Sequence, residues 1–257
     1  MTATSIPVLL AAVLAQATTG RFPVAATLFT VGLALVHLLA GQWRYLEFDG
    51  KRPWLSAAGG STVAYVFVLL LPEVSEAALA VGELRGEALL AEQYVYLMTL
   101  LGFVVFYGVE VAVAHRTGDT VEESSIVFWA HVVIFALYSG LIGYLLFHQE
   151  VPGVSNLFFY ALAMGLHFGI TDHGLRRYHG ADFDRRGRWL LAGATLLGGG
   201  VGLVLEIDGY LLSLLFGFVA GAVILNVIKE ELPDLRESRF VAFVAGAFAY
   251  SVVLLFA

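Results

Sequence analysis

The sequence predicts an all-α polytopic membrane protein with eight core transmembrane helices and a short apolar segment ahead of them. Three observations predict it. Apolar residues make up 59% of the 257-residue chain and charged residues only 14%, where a soluble domain carries about 25% charged residues. A water-facing surface cannot be built from that composition, and the mean hydropathy of +0.83 makes lipid the solvent. The apolar residues fall in runs close to the roughly 20 residues that cross a hydrocarbon core. Nearly all Lys and Arg then sit in alternate connections between those runs.

In order, the runs are 3–19, 23–41, 55–73, 93–114, 125–147, 154–175, 189–205, 209–228 and 239–256. The first is short. Its small-x-small Ala15-Gln16-Ala17 resembles a signal-peptide cleavage site, but no Lys or Arg precedes the apolar stretch, so residues 1–20 read as an accessory helix. Gly20–Pro23 and Pro152-Gly153 precede two of the runs and read as chain reversals at an interface. The basic residues Arg44, Lys51 and Arg52 follow the 23–41 run, and Arg116 follows 93–114. Arg176, Arg177, Arg185, Arg186 and Arg188 follow 154–175, and Lys229, Arg236 and Arg239 follow 209–228. Only Arg21 and Arg85 fall in the other connections, which hold the acidic series Glu73, Glu76, Glu83, Glu87 and Glu92 and the Glu206/Asp208 turn. Basic connections favour the cytoplasmic side, so the C-terminus is expected outside.

Two runs share a pattern. Gly60 stands twelve residues before Pro72-Glu73, with Leu70-Leu71 ahead of the proline. Gly221 stands twelve residues before Pro233-Asp234, with Glu231-Leu232 ahead of it. In the expected topology these helices run in opposite directions, as in the inverted repeats of many transporters. A plainer reading also stands, since small residues let membrane helices approach closely.

The same residues resemble the ZIP family (Zrt-/Irt-like divalent metal transporters). Gly59-Gly60 and Leu70-Leu71-Pro72-Glu73 are similar to the family's second helix. Gly217, Gly221-Ala222 and Glu230-Glu231-Leu232-Pro233-Asp234 are similar to the seventh, and Gly102-Phe103 with Glu110 to the third. The resemblance covers roughly residues 23–256. It implies a 3+2+3 inverted-repeat bundle: a first triplet over 23–114, a central pair over 125–178 and a second triplet over 189–257, all within one transmembrane domain. It also implies transport of a divalent metal cation such as zinc by alternating access. At the family's metal positions this chain differs. The fourth-helix pattern His-Asn-x-x-Asp-Gly reads Phe135-Ala136-Leu137-Tyr138-Ser139-Gly140, and the fifth-helix pattern reads His167-Phe168-Gly169-Ile170-Thr171-Asp172. The second-helix histidine position is Leu69.

Ionisable groups inside a span are costly unless paired, so each is a functional candidate. His167 and Asp172 lie in the 154–175 run, with Thr171 one turn from His167 and His173 beside Asp172. Imidazole with carboxylate suits Zn²⁺. His131, one turn before Phe135, could face His167 across the helix pair that holds metal in the family. The metal candidates are therefore His167, Asp172, His131 and His173, with Glu110, Ser139, Thr171 and Asn226 as supporting polar groups. Structural readings stand beside each. His167 could bond a neighbouring helix, Asp172 and His173 could meet interfacial water, and Ser139 could bond its own backbone. Asn226 could join two helices. Lys229 raises a retinal Schiff-base reading, but Glu230 and Glu231 place it toward water. The Arg176–Arg188 connection reads as a topology signal that could also hold anionic lipid headgroups.

Two rivals to metal transport remain open at this stage. One is a ZIP-fold protein that moves no metal. The other is an intramembrane zinc-dependent hydrolase, which would use His131, His167, Asp172, His173 and Ser139, although no span carries a His-x-x-x-His or His-Glu-x-x-His pair. The expected partners are the lipid bilayer, a divalent cation as substrate and a second copy of the chain in a homodimer. No tightly bound cofactor is expected. With no cysteine, thiolate metal sites and disulfides are excluded, and a net charge of −7 without a basic block argues against nucleic acid. The absence of a targeting segment or large extramembrane domain points to a prokaryotic plasma membrane.

Overall fold

The computed structural model describes residues 22–39, 53–85, 88–115, 121–149, 153–231 and 239–255. The accessory segment 1–20 and the connections bearing Arg44, Lys51, Arg52, Arg116 and Arg236 lie outside them. Among the described residues there are helices and no strands, as backbone in lipid requires when each N–H must find its carbonyl locally.

Helix α1 is Pro23–Leu39. Helix α2, Pro53–Tyr65, runs through a π-helical turn at Val66–Leu70 into α3, Leu71–Arg85. Helices α4 (Ala88–His115), α5 (Val121–Leu145) and α6 (Val154–His179) follow. A second π-helical turn, Phe183–Gly187, leads into α7, Arg188–Val204. Helix α8 (Gly209–Asn226) ends in a third, Val227–Glu231, and α9 is Phe240–Leu255. Starts and stops have local causes. The Asp208 carboxylate accepts from Leu211 N at 3.1 Å and caps α8. At the end of α6, Gly180 takes a positive φ of 54° and returns its N–H to Arg176 O at 2.8 Å, a conformation that favours glycine.

Among the described residues, six helices are long and apolar enough to cross a bilayer: Ser56–Gly82, Glu92–His115, Ser125–Leu145, Val154–His179, Phe183–Val204 and Gly209–Lys229. The expected eight is thus corrected to six full spans and two shorter apolar helices. Helices α1 and α9 have 17 and 16 residues, about 25 Å at 1.5 Å per residue, less than the ~30 Å hydrocarbon core. A second correction concerns the 55–73 run. The helix does not stop at Pro72 but continues to Arg85, carrying Glu73, Glu76 and Glu83 on helix instead of loop. Proline has no N–H and clashes with the carbonyl four residues back. Here that carbonyl belongs to Val68, inside the π-helical turn, where the widened backbone accommodates the ring.

The helices pack in two groups. Helices α1, α5, α6 and α7 form one, through α5 on α7, α1 on α7 and α1 on α6. Helices α2, α3, α4, α8 and α9 form the other, through α2 on α9, α4 on α8, α3 on α4 and α3 on α8. Helix α8 is the most enclosed, with 61% of its span buried, while α4 has 22% and turns most of its surface outward. Outward apolar residues such as Leu97, Leu197 and Val204 are what a lipid-facing surface presents. Tyr65, Phe106, Tyr138, Tyr160 and Phe168 fill the interior.

Three helix pairs touch backbone to backbone at glycines. In α2·α9, a Cβ on Gly60 would strike Phe243 O, and one on Gly246 would strike Ala57 O. In α4·α8, Gly221 sits over Thr99 O and Gly102 over Phe218 O. In α5·α7, Gly143 sits over Thr195 O and Gly198 over Gly140 O. Each crossing has the same form: a glycine lies on the carbonyl three residues before the partner's glycine. Such approaches let Cα–H groups meet carbonyls and give close van der Waals contact, the main source of helix association in lipid.

Candidate functional site

Buried ionisable and polar groups gather in three constellations. In the first, α1 and α6 bring His37 and Asp172 together, with Nδ1 and Oδ2 2.8 Å apart and both side chains essentially inaccessible. An ionised carboxylate only accepts, so Nδ1 donates and the lone pair is left on Nε2. The imidazole rests on the Phe168 ring with centroids 4.3 Å apart. Among the described residues, His37 Nε2, Asp172 Oδ1 and the neighbouring Thr171 Oγ1 have no hydrogen-bond partner. The pair therefore keeps one basic nitrogen, one carboxylate oxygen and one hydroxyl available inside the protein.

The second constellation links four segments. His131 of α5 sits with Nε2 3.2 Å from Glu110 Oε1 of α4, and with Nδ1 3.1 Å from His179 Nε2 of α6. Lys229, in the π-helical turn after α8, donates to Glu110 Oε2. Glu110 and His131 are buried and Lys229 is exposed. A cavity of about 10 Å³ opens between Glu110, His131, Phe135, Thr171, Tyr178 and Lys229, room for one water at most. One cation offsets one carboxylate here, which is what makes the burial of Glu110 tolerable.

In the third, Tyr138 of α5 and His167 of α6 meet with hydroxyl and Nε2 3.0 Å apart. Phe106 lies edge-on to Tyr138 at 5.1 Å and to Phe135 at 5.5 Å. Aromatic side chains thus occupy the space between the central helices.

The predicted metal candidates are placed in different settings. His131 faces Glu110 and His179, Asp172 faces His37, His167 faces Tyr138, and His173 is exposed. Among the described residues no set of three or more His, Asp or Glu groups is placed to hold one metal ion. Of the supporting groups, Glu110 joins His131, and Ser139 bonds its own helix at Phe135 O, 2.8 Å away. Thr171 adjoins Asp172, and Asn226 is buried in α8 with neither side-chain atom hydrogen-bonded among the described residues. Sequence reasoning missed His37, His179 and Tyr138. A signal for His37 was present, since it is an ionisable residue inside an apolar run. Lys229 is exposed, as its neighbours Glu230 and Glu231 suggest, and its ammonium also reaches Glu110.

The fold and these groups define the class: a polytopic all-α integral membrane protein with ionisable pairs buried between its helices. No protein-family model matches the chain, and no curated protein matches it.

Proposed function

We propose that the chain is a ZIP-like secondary transporter that moves a divalent cation, such as zinc, by alternating access. The observation that carries the reading is a repeated backbone arrangement. Exchanging α2 with α8 and α9 with α4 turns the Gly60/Gly246 crossing into the Gly221/Gly102 crossing, each glycine again over the carbonyl three residues before its partner. The same exchange pairs the π-helical turns at the same offset in sequence. Val66–Leu70 begins six residues before Pro72, and Val227–Glu231 begins six residues before Pro233. It also takes the α5·α7 packing to α6·α1. A repeat of this kind supports the 3+2+3 arrangement, with α1 and α9 as its short members, and inverted repeats are the usual basis of alternating access.

The cargo follows from chemistry. Imidazole and carboxylate groups are borderline-to-hard ligands suited to Zn²⁺ and its neighbours, and a transported ion needs binding weak enough to be released. His37 and Asp172 with Thr171 form the interior binding group in this reading. Helices α5 and α6 provide His131 and His167 on either side of it along the bundle.

A second reading, a ZIP-like protein that moves no metal, is favoured by one specific observation. The positions aligned with the family's ligands are Phe135, Ala136 and Ser139, and aromatic packing and a backbone bond occupy them. One experiment separates the two. Full-length protein in liposomes loaded with a zinc-sensitive dye should show saturable uptake, and Asp172→Asn and His37→Gln should each lower the rate by about tenfold or more, the scale at which loss of an imidazole–carboxylate partner acts. Folded protein with no uptake of zinc or other divalent ions would remove the metal and establish the second reading.

A further inference from the structure

The reversal between α6 and α7 holds five arginines, Arg176, Arg177, Arg185, Arg186 and Arg188, against two aspartates, Asp182 and Asp184. That leaves it at +3 in a chain whose net charge is −7. The arginines have different settings. Arg176 forms a two-pronged ion pair with Asp184, Nε to Oδ1 at 2.8 Å and Nη2 to Oδ2 at 3.0 Å. It neutralises that carboxylate and ties the end of α6 to the π-helical turn. Arg188 is half-buried, and its Nη1 donates to Leu38 O near the end of α1. Arg177, Arg185 and Arg186 are exposed. Arg185 Nε donates to Ala181 O in its own turn at 3.4 Å, and the ion pairs among the described residues involve none of the three. The backbone that carries them is well held. Phe183 is fully buried, Gly187 leaves no room for a methyl beside that ring, and Gly180 N returns to Arg176 O. A ligand here has little main chain left to order.

Depth in the bilayer follows from the aromatic residues. Tyr178 comes directly after Arg177, Trp189 comes three residues after Arg186, and both rings are exposed. Tyr and Trp collect at the membrane–water interface, so they mark the headgroup level. At 1.5 Å per residue the neighbouring arginines lie within about 5 Å of it along the helices. The Arg188 guanidinium lies 5.6 Å from the Trp189 ring centre and steadies the indole there. Further along α7, Leu190, Leu196, Leu197 and Val201 face outward, a surface for acyl chains. Cations at the head of an exposed apolar helix face match a molecule with an anionic head and apolar tails. A free anion has no use for the apolar face.

We propose that this reversal binds an anionic phospholipid, its headgroup on Arg177, Arg185 and Arg186 and its acyl chains along the outward face of α7. The planar guanidinium fork matches phosphate oxygens in pairs. The expected topology puts this end in the cytoplasmic leaflet, where anionic lipids set a negative surface potential. The site does not depend on the transport reading and shares no side chain with the His37–Asp172 pair.

The test is lipid binding to the full chain in detergent, read by native mass spectrometry, with phosphatidylglycerol, phosphatidylcholine and inorganic phosphate as probes. Wild type should bind a phosphatidylglycerol about tenfold more tightly than phosphatidylcholine. Arg185→Gln with Arg186→Gln should weaken phosphatidylglycerol on the order of thirtyfold, and Arg177→Gln alone about fivefold, the scale of one basic residue near an anionic surface. Arg239→Gln, an exposed arginine on another connection, should leave binding as in wild type. All these residues are exposed, and Arg177→Gln decides the matter even where the double variant fails to fold. Equal affinity for the two lipids, wild-type binding by the folded variants, or an equal loss from Arg239→Gln overturns the site. Displacement of the lipid by an equal concentration of inorganic phosphate makes it a free-anion site and overturns the lipid assignment.

Discussion

His37 and Asp172 are separated by 135 residues in the chain and 2.8 Å in space, and that contrast governs what substitution does to them. Removing one partner of a buried, charge-assisted hydrogen bond leaves the other desolvated and alone. His37→Ala should therefore lose on the order of 3 kcal/mol of stability, and the paired change His37→Leu with Asp172→Leu should recover most of it. Denaturant unfolding in mixed micelles checks both, and a single variant as stable as wild type would mean the pair is not formed. At this scale the sequence was informative about residue type and silent about pairing. Asp172, His131 and Glu110 stood out because charge inside an apolar run is costly wherever it lies. That Glu110 faces His131, and Asp172 faces His37, depends on which helices meet, and no local pattern records that. Ser139 shows the opposite case: a hydroxyl in a helix has its own backbone within reach, and the plain expectation held.

At the scale of the helix, two kinds of glycine behave differently. Gly198, Gly221 and Gly246 lie on a partner's carbonyl, and a methyl group there collides with backbone that cannot swing aside. Gly32, Gly108 and Gly200 have open space where a Cβ would go. Gly221→Ala should destabilise by about 1–3 kcal/mol through overpacking, while Gly108→Ala should be neutral or stabilising by up to about 1 kcal/mol through helix propensity. Thermal unfolding of the two proteins side by side is the check. The helices themselves were legible from run length and from the alternation of basic connections, because lipid imposes both. Their ends were less so. Pro72 reads as a stop in sequence, since the ring ordinarily breaks the ladder. The π-helical turn at Val66–Leu70 absorbs it, and nothing in the letters Val-Phe-Val-Leu-Leu announces that turn. The 12-residue spacing from glycine to proline was visible, and the matching turns give it a structural counterpart.

For the whole molecule, the two helix groups are joined by polar ties toward opposite ends. Glu110 on α4 meets His131 on α5. Near the far end, Asn156 on α6 donates to Glu73 on α3 at 2.8 Å, and the Tyr250 hydroxyl donates to Phe159 O. Movement of one group against the other must loosen one end while the other holds. The chain has no native cysteine, so a single engineered pair acts without background. On the proposed transport cycle, Glu73→Cys with Asn156→Cys, once oxidised, should stop zinc uptake in liposomes, and reduction should restore it. Undiminished uptake by the cross-linked protein would show that this end does not open during transport. The two-group organisation was not legible in the sequence. Order along the chain separates the second helix from the ninth and the fourth from the eighth, and the glycine seams bring them together.

Those seams carry a mechanical consequence. Where two main chains lie directly on each other, no side chain is interleaved, and there are no rotamers to unlock before one rod turns on the other. The contact resists separation, since any gap forfeits dispersion along both backbones, yet a small change of angle about the touching point keeps it intact. Three such points, at α2·α9, α4·α8 and α5·α7, give each group stiff joints with low-friction pivots inside it.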